Sequence, residues 1–395
     1  MGTVGFLNLP KWHGLLRKTF AARGFDDLLC APVLGSEEVD PPWISLEPDE
    51  FFPVVETGFH FSDNRTPVQW PNQVVTSDPL SGFQRIRDGK HLKTGVRGAI
   101  GGTYPILDIC NSQAGYSSPR RLLTMTDGVA GAVLSEMEHS GSGLEPAMKE
   151  IQWKNLAPSN STRHIHGLIA RERLALLGAL LFRIILDPEQ IHVDGFGGIE
   201  SRDMVISKNF QMTVRLLGVV EKQDQKFSAW VRPVLMPSRY LLAQVRGGAE
   251  AAYLQMDDGS SFFFSGSGTS PEVILRGMLW DWKILSTGET GPASNFRGID
   301  LVPYENLVSG FYLRLALLNF ETTVSSVLNI LAAKGVGIRA LFQPDAAKDT
   351  IDKDGEPELV ILTRPVREVL IQETLRGIRE NVRLASVKAC YRLEG

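Results

Sequence analysis

Residues 312–393 constrain the fold more than any other stretch, because their apolar residues alternate between strand and helix spacing. YLRLAL at 312–317 reads as a strand, and TTVSSVLNILAAKG at 322–335 as a helix opened by threonine caps and closed by a glycine. Two further strands follow, IRALFQP at 338–344 and ELVILTR at 358–364, separated by the polar loop AAKDTIDKDGEP. VREVLIQETLRGIREN at 366–381 returns to helical spacing, and 383–393 alternates again. The order βαββαβ is that of a split ferredoxin-like unit.

Upstream the pattern changes. Residues 144–186 are helix-rich and 193–284 strand-rich, with the glycine-dense HVDGFGGIESRD between them. This predicts an α+β domain over 97–305. Residues 1–96 hold proline-rich loops and short strand candidates (LLCAPVL, FPVVET, QVVTS), an α/β pattern of low density. Three units are therefore expected, at 1–96, 97–305 and 311–395.

With 395 residues, 41 basic against 45 acidic and a net charge of −4, the chain has no concentrated basic stripe, and nucleic acid is not an expected partner. Its three cysteines, Cys30, Cys110 and Cys390, lie far apart without a CxxC spacing. Neither a disulfide framework nor a thiolate metal site is expected, and a reducing cytoplasm is. The most apolar run, Leu174 to Leu186, is interrupted by Arg183 and falls short of the roughly 20 residues of a membrane span. Pro10, Lys11 and His13 break any signal-peptide pattern at the start.

Placed in order, GTVGF, VVETG, QVVTS, GAIGGTYPIL, TDGVAGAVLSEM, HGLIARERLALLGALLF, VDGFGGIESRD, VRLL, LAQV, FFFSGSGTS and LWDW resemble the landmarks of homoserine dehydrogenase. The terminal βαββαβ unit is similar to the ACT regulatory domain of many members. The resemblance implies a Rossmann-like N-terminal domain, an α+β catalytic and dimerisation domain, NAD(P) as cofactor, a small-molecule ligand in an interdomain cleft, a homodimer, and interconversion of aspartate semialdehyde and homoserine.

Against that family pattern the chain departs at each site. Gly2, Thr3, Val4 and Gly5 resemble the second half of the dinucleotide loop, as if the sequence began inside it with the first strand missing, and KWHGLLRKTFAARG would be the helix that follows. After the second strand LLCAPVLGSEE offers Ser36 rather than an acid, so NAD and NADP are not distinguished. Pro79 stands where the family has a lysine. Asp127 to Gly131 replace an N-G-T-T-N loop. The family's substrate-holding acids correspond to Pro158, Asn160, His164 and Ile169, and its second lysine to Arg173. This is the pattern of a homologue that has lost the homoserine chemistry and acts as a regulator or scaffold. Two alternatives stay open: a divergent oxidoreductase with a rebuilt cleft, in which His164 is acid or base and Arg173 binds a carboxylate, and a conventional homoserine dehydrogenase.

Other features weigh less. His164 and His166 point apart on a helix, so a solvated helix start is favoured over a metal site. SGSGTS at 265–270, with Gly266 and Gly268, could cradle an anion near the nicotinamide, although a structural turn is favoured. Cys110 reads as a buried thiol, Glu250, Asp257 and Asp258 as solvated carboxylates, and Asp281 as a backbone-orienting acid. The loop Asn319 to Thr323 lacks the glycine of an ACT effector site, leaving edge-to-edge pairing with a second copy as that unit's expected role.

Overall fold

The computed structural model describes residues 3–6, 30–32, 58–62, 73–76, 78–88, 93–101, 105–107, 117–268, 273–274, 276–277, 280–281, 296–318, 320–344, 357–380 and 385–395. The first sheet comprises β1 (Thr3–Phe6), β2 (Cys30–Pro32), β3 (Gly58–Ser62), β4 (Gln73–Thr76) and β5 (Lys93–Gly95), in the order β2-β1-β3-β4-β5. Two expectations are corrected here. Thr3, Val4 and Gly5 lie on a strand between two neighbours rather than in a loop, and Gly2 falls outside the described residues. The sheet is mixed rather than parallel: β1 runs parallel to β2 and β4 to β5, but β3 is antiparallel to both β1 and β4. The β-branched Thr3 and Val4 suit a pleated strand better than a phosphate-binding turn.

Helix α1 (Pro79–Arg87) starts where a lysine was expected. Asp78 Oδ1 accepts the Leu80 amide at 3.3 Å, and Pro79 takes the first helical position, where no amide donor is required. Its apolar side, Phe83 and Ile86, is buried, and the helix packs on α5.

The central region runs β6 (Pro119–Met125), α2 (Gly128–Ser140), α3 (Leu144–Trp153), α4 (Thr162–Ile165), α5 (Leu168–Phe182), β7 (Ile184–Ile185), β8 (His192–Val193), α6 (Ser201–Asn209), β9 (Met212–Gln223), β10 (Lys226–Pro237), α7 (Leu241–Gln244), β11 (Ala249–Met256), β12 (Ser261–Ser267) and β13 (Arg297–Gly298). The C-terminal region follows as β14 (Val308–Leu317), α8 (Phe320–Ala333), β15 (Ile338–Phe342), β16 (Glu358–Thr363), β17 (Val366–Arg367), α9 (Glu368–Glu380) and β18 (Ala385–Leu393). The expected βαββαβ order is present, with its strands arranged β18-β14-β16-β15, and Gly335 just past α8 has φ 70° as a helix terminator requires.

These two regions are not separate sheets. Strand β18 pairs in parallel with β10 (Val234 with Arg392, Leu235 with Leu393), giving one continuous order β12-β11-β6-β9-β10-β18-β14-β16-β15. The boundary expected near 305–311 is therefore bridged by backbone hydrogen bonding. The edge of the C-terminal unit formed by β18 is also taken by its own chain.

Both faces of this sheet are covered. On β9, Leu216 and Val220 face the helices while Leu217 and Val219 face the opposite side, where α7 and Leu307 cover them. The strand consequently reads as a continuous apolar run instead of alternating. On β14 the alternation does show. Phe311, Leu313 and Leu315 pack with α8 and α9, whereas Tyr312 and Arg314 turn toward α6. Helix α5 lies at the centre; Leu174 to Leu177 are all fully buried, which explains a sequence apolar on every side.

Candidate active site

Where β6 meets α2 the sequence Thr126-Asp127-Gly128 makes a sharp turn into the helix. Asp127 is the N-cap, its Oδ1 accepting the amides of Val129 at 3.1 Å and Ala130 at 3.2 Å. The same buried carboxylate accepts from His164 Nδ1, at 2.9 Å to Oδ1 and 3.0 Å to Oδ2. His164 lies on the short helix α4, which the bend at Gly167 (φ 72°) sets against the start of α5. Burial alone would push the Asp127 carboxyl up, but the charge and hydrogen bond of His164, with Arg173 and the Ala130 amide, hold it below its ordinary value. An ionised carboxylate can only accept, so Nδ1 carries the proton. Nε2 then has no hydrogen-bond partner among the described residues, and the ring is 19% exposed. A partly exposed imidazole with its tautomer fixed by a buried carboxylate is the arrangement that general acid–base chemistry uses.

Arg173, on α5, is almost wholly buried behind this pair. Its Nη1 donates to Thr126 O and to Glu250 Oε1, the latter at 2.5 Å. Glu250 sits on β11 with no exposure at all, contrary to the solvated carboxylate expected. Burial pushes its carboxyl up to about 7 against the pull of Arg173. Room for it comes from two glycines. A Cβ on Gly101 would lie 1.8 Å from Glu250 Oε2, and one on Gly268 would lie 1.9 Å from its Cδ. Alongside, Arg163 grips Glu172 with two bonds of 2.9 and 2.8 Å, and burial raises the Glu172 carboxyl while Arg163 opposes.

Several expected sites take other roles. Arg173 was expected to bind a substrate carboxylate; the carboxylate it meets is Glu250. The Gly268 amide donates to Gly248 O at 3.4 Å, and the face of Gly268 is filled by an acid, the opposite of an anion cradle; Gly266 is a strand residue opposite Glu250. Pro158 O accepts from Gln152 and Ser161, Asn160 Oδ1 accepts the Thr162 amide at 3.2 Å, and Ile169 is in the core. Asp281 does orient backbone: it accepts the Arg97 amide at 2.6 Å and its guanidinium at 2.5 Å. Cys110 and Asn319 lie outside the described residues. Among the described residues no group of three or more His, Cys, Asp or Glu could hold a metal, and no helix is long and apolar enough to cross a membrane.

Sequence reasoning placed Asp127 only in a loop that departs from the family pattern, and nothing in the sequence joined it to His164, 37 residues on. Glu250 gave only a faint signal, one acid among small residues in a strand otherwise buried.

The family model of homoserine dehydrogenase matches residues 105–282. A homoserine dehydrogenase of Bacillus subtilis (strain 168) is 25% identical over 308 residues, 75% of this chain and 69% of the relative. One of Pseudomonas aeruginosa is 22% identical over 307 residues, 75% of this chain and 70% of the relative. Over residues 105–282 this chain is a divergent match to the homoserine dehydrogenase family. In three dimensions, a homoserine dehydrogenase from Thiobacillus denitrificans superposes with a TM-score of 0.72 at 20% identity, covering 81% of this chain and 76% of that one. A Staphylococcus aureus homoserine dehydrogenase, solved at pH 8.5, gives 0.63 at 13% identity over the whole of both chains. The family match at 105–282 takes in Asp127, His164, Arg173 and Glu250.

Proposed function

We propose that this chain is a divergent oxidoreductase that does not act on homoserine, and that the Asp127–His164 pair moves the proton of its reaction. The observation that carries this reading is the bidentate seat of His164 on a buried, ionised Asp127. His164 Nε2 would take the proton of a substrate hydroxyl on oxidation and return it to the carbonyl oxygen on reduction. Asp127 holds the ring and stabilises its charged form, and Arg173 fixes the turn by binding Thr126 O. The places where family members have substrate-holding acids are occupied here by Pro158, Asn160 and Ile169, which leaves an amino acid's ammonium group without its counter-charge.

NAD(P) fits one feature of the N-terminal sheet. Strands β1 and β2 are parallel neighbours joined by residues 7–29, long enough for a helical crossover, and a dinucleotide would rest beyond the carboxyl ends of such strands. When bound it supplies or accepts the hydride.

The C-terminal unit we read as ACT-like, from its βαββαβ order and its β18-β14-β16-β15 arrangement. A cytoplasmic homodimer is the assembly we propose, on the scattered cysteines and on β15, which ends the sheet among the described residues.

A regulatory or scaffolding homologue is the second reading, favoured by the burial of Arg173 and Glu250. Thermal unfolding with NAD(H) and NADP(H), together with homoserine oxidation assays, separates the readings. A nucleotide-dependent rise in Tm without homoserine turnover is expected. No rise with any nucleotide selects the scaffold, and turnover of homoserine at ordinary enzymatic rates overturns the proposal in favour of a conventional homoserine dehydrogenase.

A further inference from the structure

We infer that Gly195 and Asp194 are positioning residues for His164: their loop is the bed on which α4 lies, and Asp194 ties that bed through Arg232 to the C-terminal unit. The inference rests on the acid–base role proposed above for His164.

Helix α4 cannot hold His164 in place by itself. It is four residues long, none of them is fully buried, and its N-cap, Ser161, makes no capping bond from its side chain. A single turn has no stability of its own in water. What lies against it therefore decides where the imidazole sits. One contact is Asp127, bound to the ring. Another is the stretch 193–197. The Phe196 amide donates to Ile165 O at 2.9 Å. A Cβ on Gly195 would lie 2.1 Å from that same oxygen and 2.7 Å from His166 Cα, and one on Gly197 would lie 2.9 Å from Ile165 Cγ2. The atoms that face Gly195 are backbone, which cannot swing aside as the end of a side chain can. A residue without a side chain is what lets the loop reach the helix.

The bed is fixed in its turn. Strand β8 pairs in parallel with β10, His192 beside Trp230 and Val193 beside Val231, and the Asp194 amide donates to Val231 O at 2.8 Å. The Asp194 carboxylate then meets the buried guanidinium of Arg232, Oδ2 to Nη2 at 2.8 Å. Arg232 Nη1 donates to both oxygens of Glu368, at 3.1 and 3.2 Å, and Glu368 also accepts from Gln372 and Arg392. Glu368 opens α9 and Arg392 lies on β18, so the far end of the series belongs to the C-terminal unit. The place of His164 thus depends on an ion pair made where the two regions meet. Loosening Asp194 from Arg232 releases α4 while the core beneath stays folded.

Hydrogen exchange of the full chain, read by mass spectrometry at one pH without nucleotide or substrate, tests this. Asp194→Ala should speed exchange across 161–167 by about tenfold or more, while α5 keeps its protection. Glu368→Gln should do the same from a distance, and Gly195→Ala should do so with the ion pairs intact, by displacing Ile165 O. Leu331→Ala is the control. That side chain is fully buried on α8 in the C-terminal core, apart from the series, and its loss should lower Tm without moving 161–167. The imidazole adds a readout that packing alone would not shift. Its Nδ1 proton, held by Asp127 and assigned by its loss in His164→Gln, should give an NMR signal in the wild type and in Leu331→Ala that broadens into water in Asp194→Ala. Unchanged exchange across 161–167 in Asp194→Ala overturns the inference; so does equal acceleration in Leu331→Ala at a matched loss of Tm, and so does the absence of the Nδ1 signal from the wild type. Asp194, with 41% of its side chain exposed, keeps the test open should Glu368→Gln fail to fold. If α4 loosens as expected while no nucleotide raises Tm, the acid–base role falls and the bed stands. If nucleotide raises Tm but 161–167 is indifferent to Asp194, the bed falls alone.

Discussion

Asp127 satisfies two helical amides and orients His164 with one carboxylate, so its substitutions separate structure from chemistry. Asp127→Asn keeps an oxygen for the cap but loses the charge facing His164 and Arg173, whereas Asp127→Ala loses the cap as well and should cost about 0.5–2 kcal/mol more than Asp127→Asn in urea unfolding. Equal losses in the two variants would show that the charge, rather than the cap, stabilises the turn. The two buried acids respond to pH in opposite directions. Asp127 is held below its ordinary value of 3.8, so its contribution is present above that value and disappears as the pH falls through the folded one. Glu250 is raised from 4.5 to about 7, so the folded state keeps a proton that the unfolded chain releases. Its contribution is full below 4.5 and is lost as the pH rises through 7, by about 3 kcal/mol at most. Glu250→Gln should therefore gain in stability relative to wild type between pH 5 and pH 8, measured by denaturant unfolding at each pH. A difference that stays flat across this range would mean that the carboxyl is ionised throughout.

Among the elements, β12 and the loop after β5 are shaped by what they leave out. Gly268→Ala drives a methyl into the Glu250 carboxyl and should lower stability by about 1–3 kcal/mol, and pairing it with Glu250→Ala should recover part of that loss. Strictly additive losses in a thermal-denaturation double-mutant cycle would rule out the clash. Helix α5 shows what element-level reading could reach. Its all-round apolar sequence marked it as buried, and Leu177→Ala should cost about 2–5 kcal/mol, because Leu177 is fully buried with neighbours on every side. The C-terminal strands and helices were equally legible, since each has one buried face and so a clean period. Strand β1 was not: a short strand whose neighbours, at 30–32 and 58–62, lie far away in sequence carries no local pairing signal.

At the scale of the whole molecule, the C-terminal unit is fastened to the central region by a buried ionic hub. Arg314, with no exposure, donates to Asp203 at 2.7 Å, Glu358 at 2.6 Å and Glu200 at 2.6 Å, while Tyr312 and Tyr391 both donate to Asp203 at 3.0 Å. Arg202 on α6 reaches Glu358 from the other side. Removing the cation leaves buried Asp203 with only the two tyrosine hydroxyls and Glu358 with Arg202 alone, so Arg314→Met should destabilise by about 3–5 kcal/mol in calorimetric or denaturant unfolding. A loss below 1 kcal/mol would mean that water reaches the hub. The sequence showed Arg314 only as a charged interruption in a strand, because its partners come from α6 and β16.

By itself the sequence determined the elements that read locally: the βαββαβ order, the buried helix α5, and a set of landmarks resembling those of homoserine dehydrogenases. The tertiary structure decided which charges meet. His164 on Asp127, Arg173 on Glu250, Arg314 on Asp203 and the union of β10 with β18 each join residues tens of positions or more apart. Periodicity reports only which face of an element is apolar. The partner of a buried charge is chosen by how those faces pack.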